Sequence, residues 1–283
     1  MADIAALVSD LKAEQESVDE LLDGRPDEDW ARDTPAEGWT VAHQVAHLAF
    51  FDAAVTESIV DPDAFAESLK VAAADPDYTT TVGAPLVEMR PDDLFALWRS
   101  GRQPMYDAMT GAPEGLRTQW YGPAMSVASA CTARIMEHWA HGQDIADTFG
   151  VRREPTDRLR HVIHIGYRAR GFAYANRGLP VPEADVRIEV TAPSGGTWVF
   201  GESARDVIRG TALDMALLMT QRRHRADTQL EAEGPLAEEF LDVAQAFAGK
   251  PEMIGRMALF ELKPRQFSGA EISRIIPWFV VPG

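Results

Sequence analysis

The first 150 residues contain four long segments in which apolar residues recur at helical spacing, and this periodicity limits the fold more than any other feature. The first stripe runs from Ile4 to Leu22 in steps of mostly three, four or seven residues and ends before Gly24 and Pro26. Such steps place apolar side chains on one face of an α-helix. The other three helices are predicted over about 39–59, 91–110 and 126–149. Four long helices with mostly short connectors predict an N-terminal four-helix bundle.

Proline and glycine residues mark where these helices begin and end. Pro91 is followed by Asp92 and Asp93, and both proline and acidic residues favour the first turn of a helix. Gly150 is expected to close the fourth helix. A shorter, alanine-rich helix is predicted over about 62–74, and the polar sequence DPDYTTTVGAP that follows is predicted to be a loop.

The pattern changes after residue 152, where short strands alternate with helices. A helix is predicted over about 155–176, and the alternating segments VRIEVTA and TWVFGE flank a PSGG turn, which is typical of a β-hairpin. A third strand over 206–210, a helix, a strand over 228–233 and a last helix over 235–248 follow. This mixture predicts a small α/β domain at 153–250 behind the bundle at 1–152, an α+β chain overall. The remaining tail, 251–283, is too apolar to lie free in water, so we expect it to pack on a domain or on a second subunit of a homodimer.

Charge and composition exclude several classes of partner. The chain has 44 acidic and 27 basic residues, a formal net charge of −17, which disfavours binding to nucleic acids or to anionic membranes. No apolar run approaches the roughly 20 residues that span a bilayer. The N-terminus lacks the layout of a signal peptide, and one cysteine rules out an internal disulfide. These features predict a soluble protein in a reducing intracellular setting, the cytoplasm.

Two groups of histidines lie on the second and fourth predicted helices. His43 and His47 are four residues apart on one, and Glu137 and His141 are four residues apart on the other. Residues at this spacing are only about 40° apart around a helix, so each pair shares a face. A bundle can turn the two faces toward each other, and two imidazoles with one carboxylate suit Zn²⁺ with an open position. Iron or nickel would accept the same set, and histidine pairs of this kind are also common on protein surfaces.

Two neighbours of these histidines have roles that helix geometry indicates. His138 lies about 100° around the axis from Glu137 and is not expected to be a ligand. Asp144, almost one turn beyond His141, is expected to accept a hydrogen bond from a ligating ring N–H. Trp139 is predicted to be a core residue or a pocket wall. Cys131 has no adjacent base and is predicted to be a small packing residue rather than a nucleophile.

Both histidine segments resemble motifs of a known family. GWTVAHQVAHLAFFD resembles the W-x-V-x-x-x-x-x-H-L-A motif of the bacterial DinB-like metal-binding bundles, and RIMEHWAHGQDIAD resembles the R-x-x-E-x-x-x-H-G-x-D element of the mycothiol-dependent maleylpyruvate isomerase group. The resemblance covers about 1–250 and implies a DinB-like four-helix bundle joined to a smaller C-terminal α/β domain like sterol carrier protein. It also implies that His47, Glu137 and His141 are the metal ligands and that His43 is a neighbour of the site.

The same resemblance implies the chemistry. It predicts a Zn²⁺-dependent isomerase or S-transferase that uses mycothiol as a thiol cosubstrate and acts on a small anionic electrophile such as maleylpyruvate. Arg222 or Arg223 is the expected partner of the substrate carboxylate, and the alternative for both is a solvated basic helix end. Two other functions stay open on the residues alone. One is a hydrolase that uses the same metal without a thiol. The other is a ligand-binding or sensing protein.

Overall fold

The computed structural model describes residues 3–75 and 78–247, which form two compact units, 3–153 and 154–247. The first unit is mainly helical, and the second combines helices with a four-stranded sheet. The expected α+β class is therefore confirmed. Within these two ranges, no helix combines the length and the apolarity that crossing a bilayer requires. The predicted tail at 251–283 lies outside the described residues.

The first unit is built on four long helices. In chain order its elements are α1 (Ile4–Leu22), α2 (Asp27–Trp30), α3 (Val41–Val60), α4 (Pro62–Ala74), α5 (Tyr78–Thr81), α6 (Ala84–Val87), α7 (Pro91–Gly111), β1 (Arg117–Thr118), β2 (Met125–Ser126) and α8 (Val127–Phe149). The long helices α1, α3, α7 and α8 begin and end within two residues of the predicted bounds. The bundle prediction is confirmed. The helix bounds were predictable because the residues at the helix ends are strong local signals: Ser126 caps α8, and Gly150 closes it with a φ of 66°.

The core of the first unit lies between two pairs of helices. Helix α3 packs chiefly against α7, and α1 packs against α8. The contact of α1 with α8 is close at Gly142, where an added Cβ would lie 2.8 Å from Val18 Cγ2. The largest fully buried side chains of this unit include Leu11, Leu22, Leu48, Phe65, Leu94, Trp98, Met105 and Ile135.

The segment predicted as a polar loop after α4 contains two single helical turns, α5 and α6. Leu86 and Val87, which directly follow the predicted loop, pack on the apolar cluster that includes Val45 and Ala46. Gly83 approaches α3 so closely that an added Cβ would lie 3.4 Å from the carbonyl carbon of Ala46. The loop prediction was wrong for residues 78–81 and 84–85, which are helical, and the contacts of Gly83, Leu86 and Val87 place this stretch against α3.

The second unit contains a mixed sheet and four helices. Its elements are α9 (Leu159–Arg168), α10 (Arg170–Asn176), β3 (Arg187–Thr191), β4 (Thr197–Phe200), β5 (Val207–Thr211), α11 (Ala212–Met219), a 3₁₀ turn (Arg225–Asp227), β6 (Glu231–Glu233) and α12 (Pro235–Val243). The strand order is β4-β3-β5-β6, with β3 parallel to β5 and the other pairs antiparallel. The predicted hairpin and both further strands are present.

Two predicted helices of this unit differ from the structure. The helix expected over 155–176 is divided at Ala169, and its halves pack against different partners, α9 against α11 and α10 against α12. The last helix ends at Val243, before the predicted end at 248. The chain leaves the helix there because Ala246 N–H donates to the carbonyl of Met219, with an N···O distance of 2.7 Å.

Candidate metal centre

Three side chains from α3 and α8 converge within the first unit. His47 lies on α3, and Glu137 and His141 lie one turn apart on α8. One ligand atom from each of the three lies within 4.8 Å of the others. Glu137 Oε2 is 3.3 Å from His47 Nε2 and 3.1 Å from His141 Nε2. The structure therefore brings together the three residues that the sequence motifs had indicated.

These distances fit a divalent metal. Zinc binds nitrogen and oxygen ligands at roughly 2.0–2.1 Å, so two ligand atoms at tetrahedral angles lie about 3.3 Å apart. The two measured nitrogen–oxygen separations at Glu137, 3.3 and 3.1 Å, are close to that value. The three side chains are partly exposed, by 12 to 22 %. A cation and one further ligand could therefore reach the site from solvent.

Glu137 is ionised in this arrangement. Burial alone raises the pKa of its carboxyl, but hydrogen bonds and electrostatic attraction from His141 and His47 outweigh burial and hold the pKa well below its usual range. An ionised carboxylate with two imidazoles is a donor set that zinc, iron and nickel all accept.

A hydrogen-bonded chain orients the ring of His141. Its Nδ1 contacts the side-chain oxygen of Gln44, whose amide donates to Thr34 Oγ1 at 2.9 Å. Thr34 in turn donates to the backbone carbonyl of Trp39 at 2.7 Å. Each donor in this chain is fixed by the next acceptor, so Nδ1 of His141 carries a proton, and the Nε2 lone pair of the neutral ring is available to a metal ion.

Gln44 takes the position that the sequence had assigned to Asp144. The carboxylate of Asp144 is buried and lies 4.0 Å from His141 Nδ1, which is beyond hydrogen-bond distance. Sequence reasoning missed Gln44, because its only signal was a position on the same helix face as His47, three residues away.

Aromatic rings cover the histidines. Trp39 is stacked on His141, with ring centroids 5.8 Å apart and an interplanar angle of 15°, and its centroid is 5.3 Å from that of His47. Phe51 packs on the other ring, at 4.5 Å from His47. Trp139, which the sequence indicated as a core or pocket residue, is buried, and its backbone carbonyl accepts from Arg153. Its role in a pocket wall stays a prediction.

His43 is not part of the three-residue cluster. Its Nδ1 accepts a hydrogen bond from the backbone N–H of Thr40 at 3.2 Å, which caps the start of α3. A cavity of about 200 Å³ opens beside it. His43, His47, Trp39, Gly83 and Ala84 are among the residues that line the cavity.

A second buried cluster, centred on Asp52, lies in the bundle core. The carboxylate of Asp52 accepts from Arg134 Nε at 2.9 Å and from Trp98 Nε1 at 3.0 Å, and it lies 3.1 Å from His138 Nε2. Gln15 also donates to it, at 3.1 Å. Burial alone raises the pKa of Asp52, but His138 and Arg134 outweigh burial and hold the pKa far below its usual range. His138 is thus a core residue, in agreement with the expectation that it is not a ligand.

Two other positions of the motif on α8, Arg134 and Gly142, make contacts between helices. Arg134 pairs with Asp52, which joins α8 to α3. Gly142 leaves room for Val18 and for the guanidinium of Arg153, which would lie 2.8 and 3.1 Å from an added Cβ. The motif thus combines the candidate ligands with residues that hold the helices at fixed positions.

The structure also shows the surroundings of three further residues from the sequence analysis. Cys131 is buried in the bundle core, and burial raises the pKa of its thiol to about 12, which confirms the packing role. In the second unit, Arg222 is buried and donates to the carbonyl of Thr220 at 2.7 Å, so a solvated helix end does not describe it. Arg223 donates to the carbonyl of Arg222 at 2.7 Å. A role for either arginine in substrate binding stays a prediction.

Comparisons with known proteins agree with this fold. Residues 11–146 match the family model of the mycothiol maleylpyruvate isomerase N-terminal domain. Two uncharacterized proteins of Mycobacterium tuberculosis, from strains CDC 1551 / Oshkosh and ATCC 25618 / H37Rv, are each 40% identical over 253 residues, which is 89% of this chain and 98% of theirs.

Solved structures with the same fold include the crystal structure of the mycothiol-dependent maleylpyruvate isomerase and that of one of its mutants. The TM-scores are 0.54 and 0.53 at 15% identity, covering 83% of this chain and 97% of those chains. At this level of identity the likeness establishes the fold.

Proposed function

Because the chain belongs to the mycothiol maleylpyruvate isomerase family, we propose that it is a zinc-dependent isomerase or S-transferase with mycothiol as cosubstrate. The substrate in this proposal is a small anionic electrophile, of which maleylpyruvate is the type. The observation that carries the proposal is the convergence of His47, Glu137 and His141, whose ligand atoms lie within 4.8 Å of one another. Iron or nickel would be held by the same donors.

The metal would supply one chemical function. A bound Zn²⁺ ion lowers the pKa of a thiol, so that the thiolate is available near neutral pH. One carboxylate and two neutral imidazoles leave a net charge of +1 around a divalent cation, and this charge favours an approaching anion. Gln44 keeps the Nε2 lone pair of His141 directed at the site, and Trp39 and Phe51 limit the access of water to the ligands.

The proposed isomerisation regenerates the thiol. The thiolate sulfur forms a bond to one carbon of a conjugated cis double bond, and the electron pair moves onto the adjacent carbonyl as an enolate. The carbon–carbon bond is now single and rotates. Return of the electron pair restores the double bond as trans and expels the thiolate, so atoms and charge balance. In a transferase the sulfur adduct is retained, or another leaving group departs.

Other residues complete the proposal. Arg222 or Arg223 binds the substrate carboxylate, as the sequence resemblance implies, and Asp144 and His43 are neighbours of the ligands. The protein acts in the cytoplasm, where low-molecular-weight thiols are reduced, and it forms a homodimer.

The test follows cis–trans conversion of maleylpyruvate by zinc-loaded protein, with and without mycothiol. We expect conversion only when both metal and thiol are present, and loss of at least about a hundredfold in Glu137→Gln, because the variant removes an anionic ligand. Glu67→Gln is the matched control, since Glu67 makes the same chemical change on the exposed helix α4. Consumption of an electrophile that persists without thiol would overturn the thiol mechanism and would indicate a hydrolase instead.

A further inference from the structure

The cavity beside His47 is placed to hold a substrate next to the metal centre. It has a volume of about 200 Å³, and His47 and Trp39, which also form part of the metal centre, line it. Sites for drug-sized ligands are about 300–1,000 Å³. The cavity therefore fits a small molecule, and a ligand within it would lie against His47.

The ring of His43 has a defined tautomer. The backbone N–H of Thr40 is a donor, and its hydrogen bond to Nδ1 therefore requires a lone pair on that atom. Thr40 Oγ1 lies 2.8 Å from the same nitrogen. The neutral ring must then carry its proton on Nε2. Among the residues that the structure describes, Nε2 of His43 makes no hydrogen bond, so this N–H remains available to a ligand.

The composition of the cavity wall favours an anion. None of the described residues that line it is acidic, and apart from the two histidines and Thr81 these residues are glycine, alanine, valine and tryptophan. The wall includes the first turn of the 20-residue helix α3, whose dipole contributes a partial positive charge. A mostly apolar pocket with a directed hydrogen-bond donor is the usual form of a small-molecule site.

We propose that this cavity binds the carboxylate of a small unsaturated acid and that the Nε2–H of His43 is its hydrogen-bond donor. The proposal deepens the proposed function, on which it rests for the identity of the acid as the electrophile. His43 is then a specificity residue: it selects an acid over the corresponding ester or amide and places the double bond beside His47.

The experiment measures binding of maleate, a small cis-unsaturated diacid, by isothermal titration calorimetry to the full-length protein in zinc-loaded and metal-free forms. Dimethyl maleate, the uncharged diester, serves as the control ligand. Three variants separate the donor from the helix cap. His43→Met removes both the donor and the cap acceptor, and His43→Gln retains both. His43→Glu retains the cap acceptor at this helix position but has no donor.

We expect wild type and His43→Gln to bind maleate with similar affinity and to prefer it to dimethyl maleate. His43→Met and His43→Glu should each bind maleate about tenfold more weakly or worse, the loss that one charge-assisted hydrogen bond represents. Two further measurements are made on the same samples. The melting temperature reports loss of the helix cap, and the zinc content reports whether the metal centre is intact.

Wild-type maleate affinity in His43→Met would overturn the inference, as would an equal preference for the diester. The metal-free arm keeps the two proposals distinct. If the protein bound no zinc, the proposed function would fail, while binding of maleate that depends on His43 in metal-free protein would still support this site. If zinc bound and maleate affinity were independent of His43, only the inference about the cavity would fail.

Discussion

The Nδ1 atom of His141 is hydrogen-bonded to the side-chain oxygen of Gln44, and this contact links helix α8 to helix α3 three residues before His47. The contact sets the tautomer of His141, because the amide nitrogen of Gln44 is committed to Thr34. A buried glutamine with both ends bonded has one orientation. The geometry of the metal centre therefore depends on a residue that does not itself ligate.

Replacing Gln44 with methionine keeps the size of the side chain and removes its hydrogen bonds. We expect zinc affinity to fall by about 10- to 100-fold, the usual effect of losing the outer partner of a ligating histidine. Competition with a chromophoric chelator measures this affinity.

The matched control is Gln15→Met, the same change at a buried glutamine of the same unit. Gln15 donates to Asp52 rather than to a candidate ligand, so this variant should lose stability and keep its zinc affinity. An equal fall in zinc affinity in both variants would show that Gln44 acts through general stability and not through His141.

Asp52→Asn should destabilise the bundle strongly at neutral pH. The substitution leaves Arg134, which is 97% buried, without its anionic partner, and breaking a buried pair in this way costs about 3–5 kcal/mol. Urea denaturation of wild type and variant at about pH 7 checks this. A difference below about 1 kcal/mol would contradict the role given to the Asp52 cluster.

The difference in unfolding free energy between wild type and Asp52→Asn should depend on pH. The pKa of Asp52 is held below its ordinary value of 3.8 in the folded state. Its contribution to stability is therefore complete above 3.8 and is lost as the pH falls from there toward the folded-state pKa. The difference in unfolding free energy between wild type and Asp52→Asn should narrow in acid. A difference that is constant with pH would contradict this account.

Two glycine substitutions in long helices should have opposite effects. In Gly142→Ala the new methyl would lie 2.8 Å from Val18 Cγ2. We therefore expect crowding to lower the free energy of unfolding by about 1–3 kcal/mol. Nothing lies within 4 Å of a Cβ at Gly101 on α7. Gly101→Ala should therefore stabilise the protein by about 0.5–1 kcal/mol through helix propensity. Thermal denaturation of the two variants measures this difference. Equal changes in stability in both variants would refute the close packing at Gly142.

Cys131 should be unreactive in the folded protein. Burial raises the pKa of its thiol to about 12, so the thiolate is scarce at neutral pH. Thiol reagents should modify it only after unfolding, and Cys131→Ala should keep its mycothiol-dependent turnover. Rapid labelling of the native protein, or loss of turnover in the variant, would indicate that this cysteine and not an added thiol is the nucleophile.

The sequence predicted those features that depend on residues close together along the chain. The bounds of α1, α3, α7 and α8 follow from local caps, prolines and glycines, and the grouping of Glu137 with His141 follows from their spacing on one helix. The choice of His47 rather than His43 as the third ligand came from the family resemblance. The Asp52 cluster was missed, because Gln15, Trp98 and His138 reach Asp52 from three other helices and leave no periodic signal. The break at Ala169 was missed for the same reason, since the two halves of that helix have different packing partners.

The central claim is that His47, Glu137 and His141 form a metal centre. Equilibrium dialysis of metal-free protein against zinc, followed by elemental analysis, tests it most directly. We predict one zinc ion per chain for wild type and for the control His161→Ala in the second unit, and none for Glu137→Ala. If wild type retained no more zinc than Glu137→Ala, the account of the metal centre would be contradicted.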